Sequence, residues 1–362
     1  MDLFTLLQQF RDSDGFTQIA MNPAAQFGRR ARRYLGAELL PERLVNENAY
    51  REDSIKYRTV LANAGTRYSP SQKKDGDIVG SMLVELGNSD IAREFSGRQY
   101  DALLRLLQNN ASMDAMASIT NWLDTAVNLA LLEHNEKNRW EAIVSAQVAL
   151  TGDNGFSETI SYPNPSGHRA AQSAAWSTDS TDIFADIHTM ADLLASKGYT
   201  VNRIITSRTV LAIMAGNNTV KTRVGVSVVN ASGQITSAAG RATQAAINGA
   251  LQADGLPPVE LYDLQYRTQT GTGYFLPRTV FVMVATTGQD EEIDMGDSEQ
   301  VVMTDTLGYT AVGRAVGQSG PGRVLQAMPK MDKPPRIEAE GWQTSLPVIT
   351  EPEAIGVITG IS

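Results

Sequence analysis

Apolar residues recur at helical spacing through Met116, Ile119, Leu123, Val127 and Leu131, give way to a polar stretch at 133–139, and resume at Ile143 and Val148. Neither glycine nor proline interrupts residues 98–151, so the pattern predicts a short helix over 98–107 and one long helix over 112–150. About 39 residues at 1.5 Å each make a rod roughly 58 Å long, well past the roughly 30 Å of a small domain. Such a rod suits the spine of a flat, extended subunit whose flanks are covered by other copies.

On either side of the spine the periodicity changes. Residues 50–90 alternate, with Ile55, Tyr57, Thr59 and Leu61 leading into a polar tip and Ile78, Val79 and residues 81–86 leading away. The tip carries Tyr68, Pro70, Lys73, Lys74, Asp75 and Asp77 among turn-forming residues, and the whole predicts a long two-stranded ribbon. A lone hairpin is marginal in water, so a ribbon this long is expected to lie on an adjacent copy. The first 49 residues mix short apolar patches with Asp, Gly and Pro, which predicts an arm that orders against a neighbour.

Beyond Gly152 helices and strands alternate. Strands are predicted over 156–162, 201–205 and 259–264, and helices over 207–215 and 241–251. A further helix carries Phe184, Ile187, Ala191 and Leu194 on one face, capped by Thr181 or Asp182 and ended by Gly198. The almost wholly apolar run 279–285 predicts a strand central in its sheet. Together these describe a compact α/β unit over 179–285. Strand-like stretches at 336–343 and 355–361 close the chain.

Chemistry adds little to this picture. A length of 362 residues, 42% of them hydrophobic and 20% charged, suits two or three domain-sized units. No run of apolar residues is long enough for a membrane span, and the start lacks the pattern of a signal peptide, so a cytoplasmic product is expected. The absence of cysteine excludes disulfides, thiolate metal sites and cysteine nucleophiles. His134, His168 and His188 stand far apart without metal-ligand spacing, and no phosphate-cradling glycine motif occurs. The nearest approach to a nucleophile elbow, at Ser319, fails because Pro321 stands where glycine is needed. Six carboxylates between Asp290 and Glu299 lack EF-hand spacing and read as a solvated loop. The expectation is no enzyme, no cofactor and no metal.

A net charge of −9 makes the surface as a whole a poor partner for nucleic acid. Arg29, Arg30, Arg32 and Arg33 are the local exception. Their ordinary reading is a solvated face or ion pairs to acidic neighbours; the other is contact with scaffold, DNA or a neighbouring subunit.

Three local patterns carry a resemblance. Gly273-Tyr274-Phe275-Leu276-Pro277 precedes the apolar strand at 279–285; Val201-Asn202-Arg203-Ile204-Ile205 precedes a helix and the basic turn Val220-Lys221-Thr222-Arg223; and Leu346-Pro347-Val348 with Glu351-Pro352-Glu353 leads into the final strand. In this order of parts the chain resembles the major capsid proteins of tailed bacteriophages, of the lambda type. The resemblance implies an α+β fold with an N-terminal arm (1–49), an extended β-ribbon loop (50–90), a peripheral domain with the spine helix (91–178), an axial domain (179–285), peripheral return strands (286–345) and C-terminal strands (346–362). It also implies that Asn217, Asn218, Lys221 and Arg223 lie in a loop near the capsomer axis. The implied function is a subunit that assembles into hexamers and pentamers of an icosahedral head enclosing double-stranded DNA without sequence-specific binding. A separate scaffolding protein, a portal and a decoration protein are the implied partners, with assembly in the host cytoplasm. The alternative is an encapsulin-like shell around protein cargo.

Overall fold

The computed structural model describes residues 3–12, 33–56, 78–109, 112–151, 157–225, 227–229, 235–237, 240–286, 306–330, 332–333 and 335–362. Two five-stranded sheets organise them. The first has the strand order Val259–Leu261, Arg203–Thr206, Phe281–Val284, Ile355–Thr359, Arg169–Ala171. Phe281–Val284 is buried throughout and sits in the middle, as its unbroken apolar run predicts. The last strand of the chain, Ile355–Thr359, thus belongs inside the α/β unit, paired antiparallel to Phe281–Val284.

Helix starts in this unit are set by side chains that take up otherwise unpaired amides. Asp182, Ser207, Asn217 and Thr243 accept from the amides of Ala185, Val210, Val220 and Ala246. The caps move the expected starts inward: the helices span Arg208–Gly216 and Gln244–Ala253, with Ser207 and Thr243 just outside them. The expected strand 259–264 stops at Leu261, and Gln265–Arg267 pairs instead with Thr272–Tyr274. Phe184, Ile187, Met190 and Leu194 of the helix Ile183–Ser196 pack with Ile204, Phe281, Met283 and Ile358 of the sheet.

The second sheet runs Glu42–Leu44, Gly308–Val312, Arg336–Ile349, Val324–Lys330, with Gly87–Ser96 along the other flank of Arg336–Ile349. Arg336–Ile349 is one continuous strand, so the boundary expected between residues 345 and 346 does not exist in the fold. Pro347 is tolerated in it for a geometric reason. Its opposite residue, Thr310, donates its amide to Pro41 on the far side, and the flanking strand has stopped pairing at Ser345, so no ladder bond requires an amide at 347.

The spine consists of Ser112–Leu123, a π-helical turn Asp124–Asn128 and Leu129–Ser145. Ile119, Leu123, Val127 and Leu131 pack on Leu325, Ala327, Ile337 and Ala339 of the second sheet. The helix ends earlier than expected. Ala146 adopts a left-handed conformation (φ 52°), and Gln147–Thr151 continues as a strand in which only Val148 and Leu150 are buried. The alternation in that short stretch prevails over a helical pattern that has no glycine to stop it. The guanidinium of Arg169 donates to the carbonyls of Ala142 and Ile143 and closes the helix end.

The expected arm is partly held by its own chain. Leu3–Asp12 is a helix whose Leu7 is buried with Leu103 and Leu325. Leu35–Leu39 is a second, short helix, and Leu35, Leu39 and Leu40 join the core beside Trp140. The ribbon pairs from Ala49 opposite Glu85 to Lys56 opposite Ile78. Its tip, including Tyr68, Pro70, Lys73, Lys74, Asp75 and Asp77, lies outside the described residues, as do Arg29, Arg30, Arg32 and the acidic stretch 290–299.

Candidate functional site

The polar stretch of the spine, which interrupts the apolar pattern, is largely enclosed by the fold. Asn135, Glu136, Asn138 and Arg139 are all buried. Glu136, fully enclosed, accepts from the Gly36 amide at 2.9 Å, Trp140 Nε1 at 2.8 Å and the Tyr262 hydroxyl at 2.6 Å. Burial, reinforced by the Glu136 charge, raises the pKa of the Tyr262 phenol well above its ordinary value.

Arg139 donates Nε to Thr310 Oγ1 at 2.8 Å and places its other nitrogens 3.5 Å from Glu136 Oε2 and 3.3 Å from Glu42 Oε1. Glu42 also pairs with Arg323, whose Nε donates to Gln343 Oε1 at 3.0 Å. Two carboxylates thereby face two guanidiniums. Burial pushes the Glu42 pKa up, but Arg323 and Arg139 outweigh it and hold the carboxyl below its ordinary value. Every element that must keep its place meets here: Gly36 from the arm base, Tyr262 from the α/β unit, Thr310 and Gln343 from the second sheet. The side chains of Glu136, Arg139, Glu42 and Arg323 are spent on one another and on the groups around them, while the buried Asn138 Oδ1 has no hydrogen-bond partner among the described residues.

A second junction lies at the ribbon root. The Asn48 side chain donates to the Arg314 carbonyl at 2.9 Å and accepts from the Arg314 amide at 2.7 Å, while its own carbonyl accepts from the Leu86 amide at 3.0 Å. Gly313 allows this approach, since a Cβ there would overlap both Asn48 and Leu86. The ribbon is therefore fixed at its base, and among the described residues its strands pair in a sheet with each other alone.

The residues expected in a loop at 217–223 form a short helix, Asn218–Arg223, behind Asn217. Asn217 is buried, and its Nδ2 donates to the carbonyls of Trp176, Thr178 and Thr181. That amide ties the helix down to the loop before Ile183–Ser196, which is why a loop does not form. Lys221 reaches Asn218 Oδ1 at 3.3 Å. Arg223 pairs with Asp254 at 2.6 Å and lies 4.4 Å over the Phe184 ring. Arg33, the one described member of the arginine run, pairs with Glu38 at 2.6 Å and Glu260 at 2.7 Å; Arg203 bridges the same two carboxylates.

The histidines stay apart. His134 is half-buried, and burial followed by the charge of Lys137 lowers its pKa. His168 Nδ1 lies 2.9 Å from the Ile355 carbonyl and His188 Nε2 lies 3.2 Å from Asp254. Among the described residues no group of three or more histidines and carboxylates is placed to hold a metal ion, and no helix is long and apolar enough to cross a membrane. The sequence placed the spine and ribbon but missed the buried junction. The available signal was the Glu136, Arg139, Trp140 spacing, which puts an acid, a base and an indole on one helix face.

A family model described as phage major capsid protein E matches residues 102–355. No curated protein matches the sequence. Among solved structures, the chain is similar to a phage-related protein of Bordetella bronchiseptica RB50, with 15% identity, a TM-score of 0.53, and 94% of this chain and 96% of that one covered. It is also similar to a protein described as the capsid protein of a prophage in E. coli CFT073, with 15% identity, a TM-score of 0.52, and coverage of 78% and 80%. At these identities the likeness concerns the fold.

Proposed function

The chain belongs to the phage major capsid protein E family and is a shell-forming structural subunit, and from that premise we propose that it closes an icosahedral head of hexamers and pentamers through its ribbon and arm. The observation that carries this reading is the ribbon, anchored at Asn48 and paired, among the described residues, in a sheet only with itself. A two-stranded sheet gains its stability from a surface laid against it, and a neighbouring copy supplies one. Ring closure needs head-to-tail contacts in which one patch meets a different patch on the next copy. Each contact can be weak, because many act together in a closed shell.

In this reading the α/β unit faces the capsomer axis, with Asn217, Asn218, Lys221 and Arg223 on its axial side, and the spine and second sheet form the periphery. The protein catalyses no reaction. Separate scaffold, portal and decoration proteins and enclosed double-stranded DNA complete the assembly, which takes place in the host cytoplasm. The lambda-type likeness belongs to the same proposal. Sedimentation and electron microscopy of the expressed chain test it: the intact chain forms capsomers or megadalton particles, and deletion of residues 66–77 leaves a folded subunit that does not close shells. Normal particles from the deletion remove the ribbon from the mechanism.

A further inference from the structure

The ribbon root and a second hairpin enclose a groove. The hairpin pairs Gln147–Thr151 with Ser157–Ser161, placing Leu150 opposite Glu158 and Val148 opposite Ile160 on a shared face. Leu86 at the ribbon root lines the groove with Leu150 and Ile160, and Glu85 and Glu158 stand at its walls. Both carboxylates are exposed, and neither forms an ion pair among the described residues. The groove therefore sets three apolar side chains beside two exposed carboxylates and the polar Asn48, a combination that fits arginine: its stem covers apolar surface while its guanidinium meets a carboxylate.

The chain supplies that ligand itself. Arg29, Arg30 and Arg32 follow Phe27 and immediately precede Arg33. Arg33 is already engaged by Glu38 and Glu260, which fixes where the run joins the body. In a molecule of net charge −9 copies repel one another, so a basic stretch laid into an acidic groove offsets that repulsion where two copies meet. We propose that the groove lined by Leu86, Leu150 and Ile160 and flanked by Glu85 and Glu158 receives the arginine run at residues 29–32 of a second copy. The inference rests on the shell-subunit reading and gives it one specific head-to-tail contact. Nucleic acid is the poorer occupant, since two carboxylates repel phosphate.

The chain's lack of cysteine makes the test direct. Variants Arg30→Cys and Glu158→Cys are mixed before assembly and the particles are oxidised. Disulfide-linked dimers are expected in the mixture and in neither variant alone. Particles without the dimer, or a doubly substituted chain that forms only an internal disulfide, overturn the proposal. Failure of the unsubstituted chain to form any particle counts against the shell reading instead, and the same mixture at high protein concentration still reports the contact. Glu85→Lys with Glu158→Lys lowers particle yield by about tenfold, and Arg29→Glu with Arg30→Glu in the same chain restores it. Protection of the arginine run from trypsin that vanishes on nuclease treatment assigns the run to nucleic acid and overturns the proposal.

Discussion

Asn48 holds the backbone of Arg314 by both of its polar groups, with the amide nitrogen on the carbonyl at 2.9 Å and the amide oxygen on the N–H at 2.7 Å. This paired contact joins the ribbon root to the turn after Gly308–Val312, residues that are 266 positions apart in the chain. The pairing needs a donor and an acceptor on one planar group, which among small side chains only asparagine supplies.

Asn48→Asp keeps the acceptor and loses the donor, and faces the Arg314 carbonyl with a negative charge. Because the contact is exposed, the expected cost is about 0.5–1.5 kcal/mol, and it is local. Hydrogen exchange at Leu86 and Arg314 accelerates while amides in Phe281–Val284 keep their protection. Uniform acceleration across both sheets would show that Asn48 stabilises the whole fold rather than the ribbon root.

Glu136→Gln leaves Arg139 and Arg323 facing Glu42 alone. Removing one member of a buried charge set costs about 3–5 kcal/mol, because the remaining charge stays desolvated. Urea unfolding followed by far-ultraviolet circular dichroism should show the loss as a lower midpoint. Glu136→Gln and Arg139→Met in one chain cost less than the sum of the two single losses, since the charges leave as a pair. Additive losses would sink the balanced-charge account.

Two carboxylates respond oppositely to acid. The folded pKa of Glu42 lies below its unfolded value, so its contribution is complete above the unfolded value, about 4.3, and is lost as pH falls through the folded one. Asp124 is the reverse: burial raises its pKa against the donation from Asn128, so ionisation on raising the pH costs stability. Glu42→Gln should flatten the acid limb of the stability profile. Asp124→Asn should raise the urea midpoint at pH 7, with the gain disappearing below about pH 3.9, the unfolded value. Unfolding profiles of the two variants between pH 2.5 and 7, on the order of five points each, decide it.

Gly341 lies where the spine touches the second sheet. A Cβ there would overlap Val127 Cγ1 and come within 2.9 Å of Leu325 Cδ2. Gly341→Ala is expected to cost about 1–3 kcal/mol through overpacking. Val127→Ala in the same chain recovers part of that loss, and a thermal-unfolding cycle over the four proteins reads the coupling. Simple additivity would mean that the strand shifts instead of the side chain.

The sequence alone determined what periodicity and composition can carry. Helical spacing from Met116 to Leu131 placed the spine, alternation placed the ribbon, and the apolar run over Phe281–Val284 put that strand at the centre of its sheet. Local patterns suffice there because burial on one face or both repeats with the period of the element. Tertiary structure decided what depends on partners distant in the chain. The polar residues Asn135, Glu136 and Arg139 are core residues only because Gly36, Tyr262, Thr310 and Gln343 converge on them. Ile355–Thr359 enters the α/β sheet as the antiparallel partner of Phe281–Val284, a strand far earlier in the chain. The early end of the spine at Ala146 depends on the packing of Val148 and Leu150 in the core. The buried charges leave no local period, because a satisfied buried charge and a solvated one are spelled with the same residues.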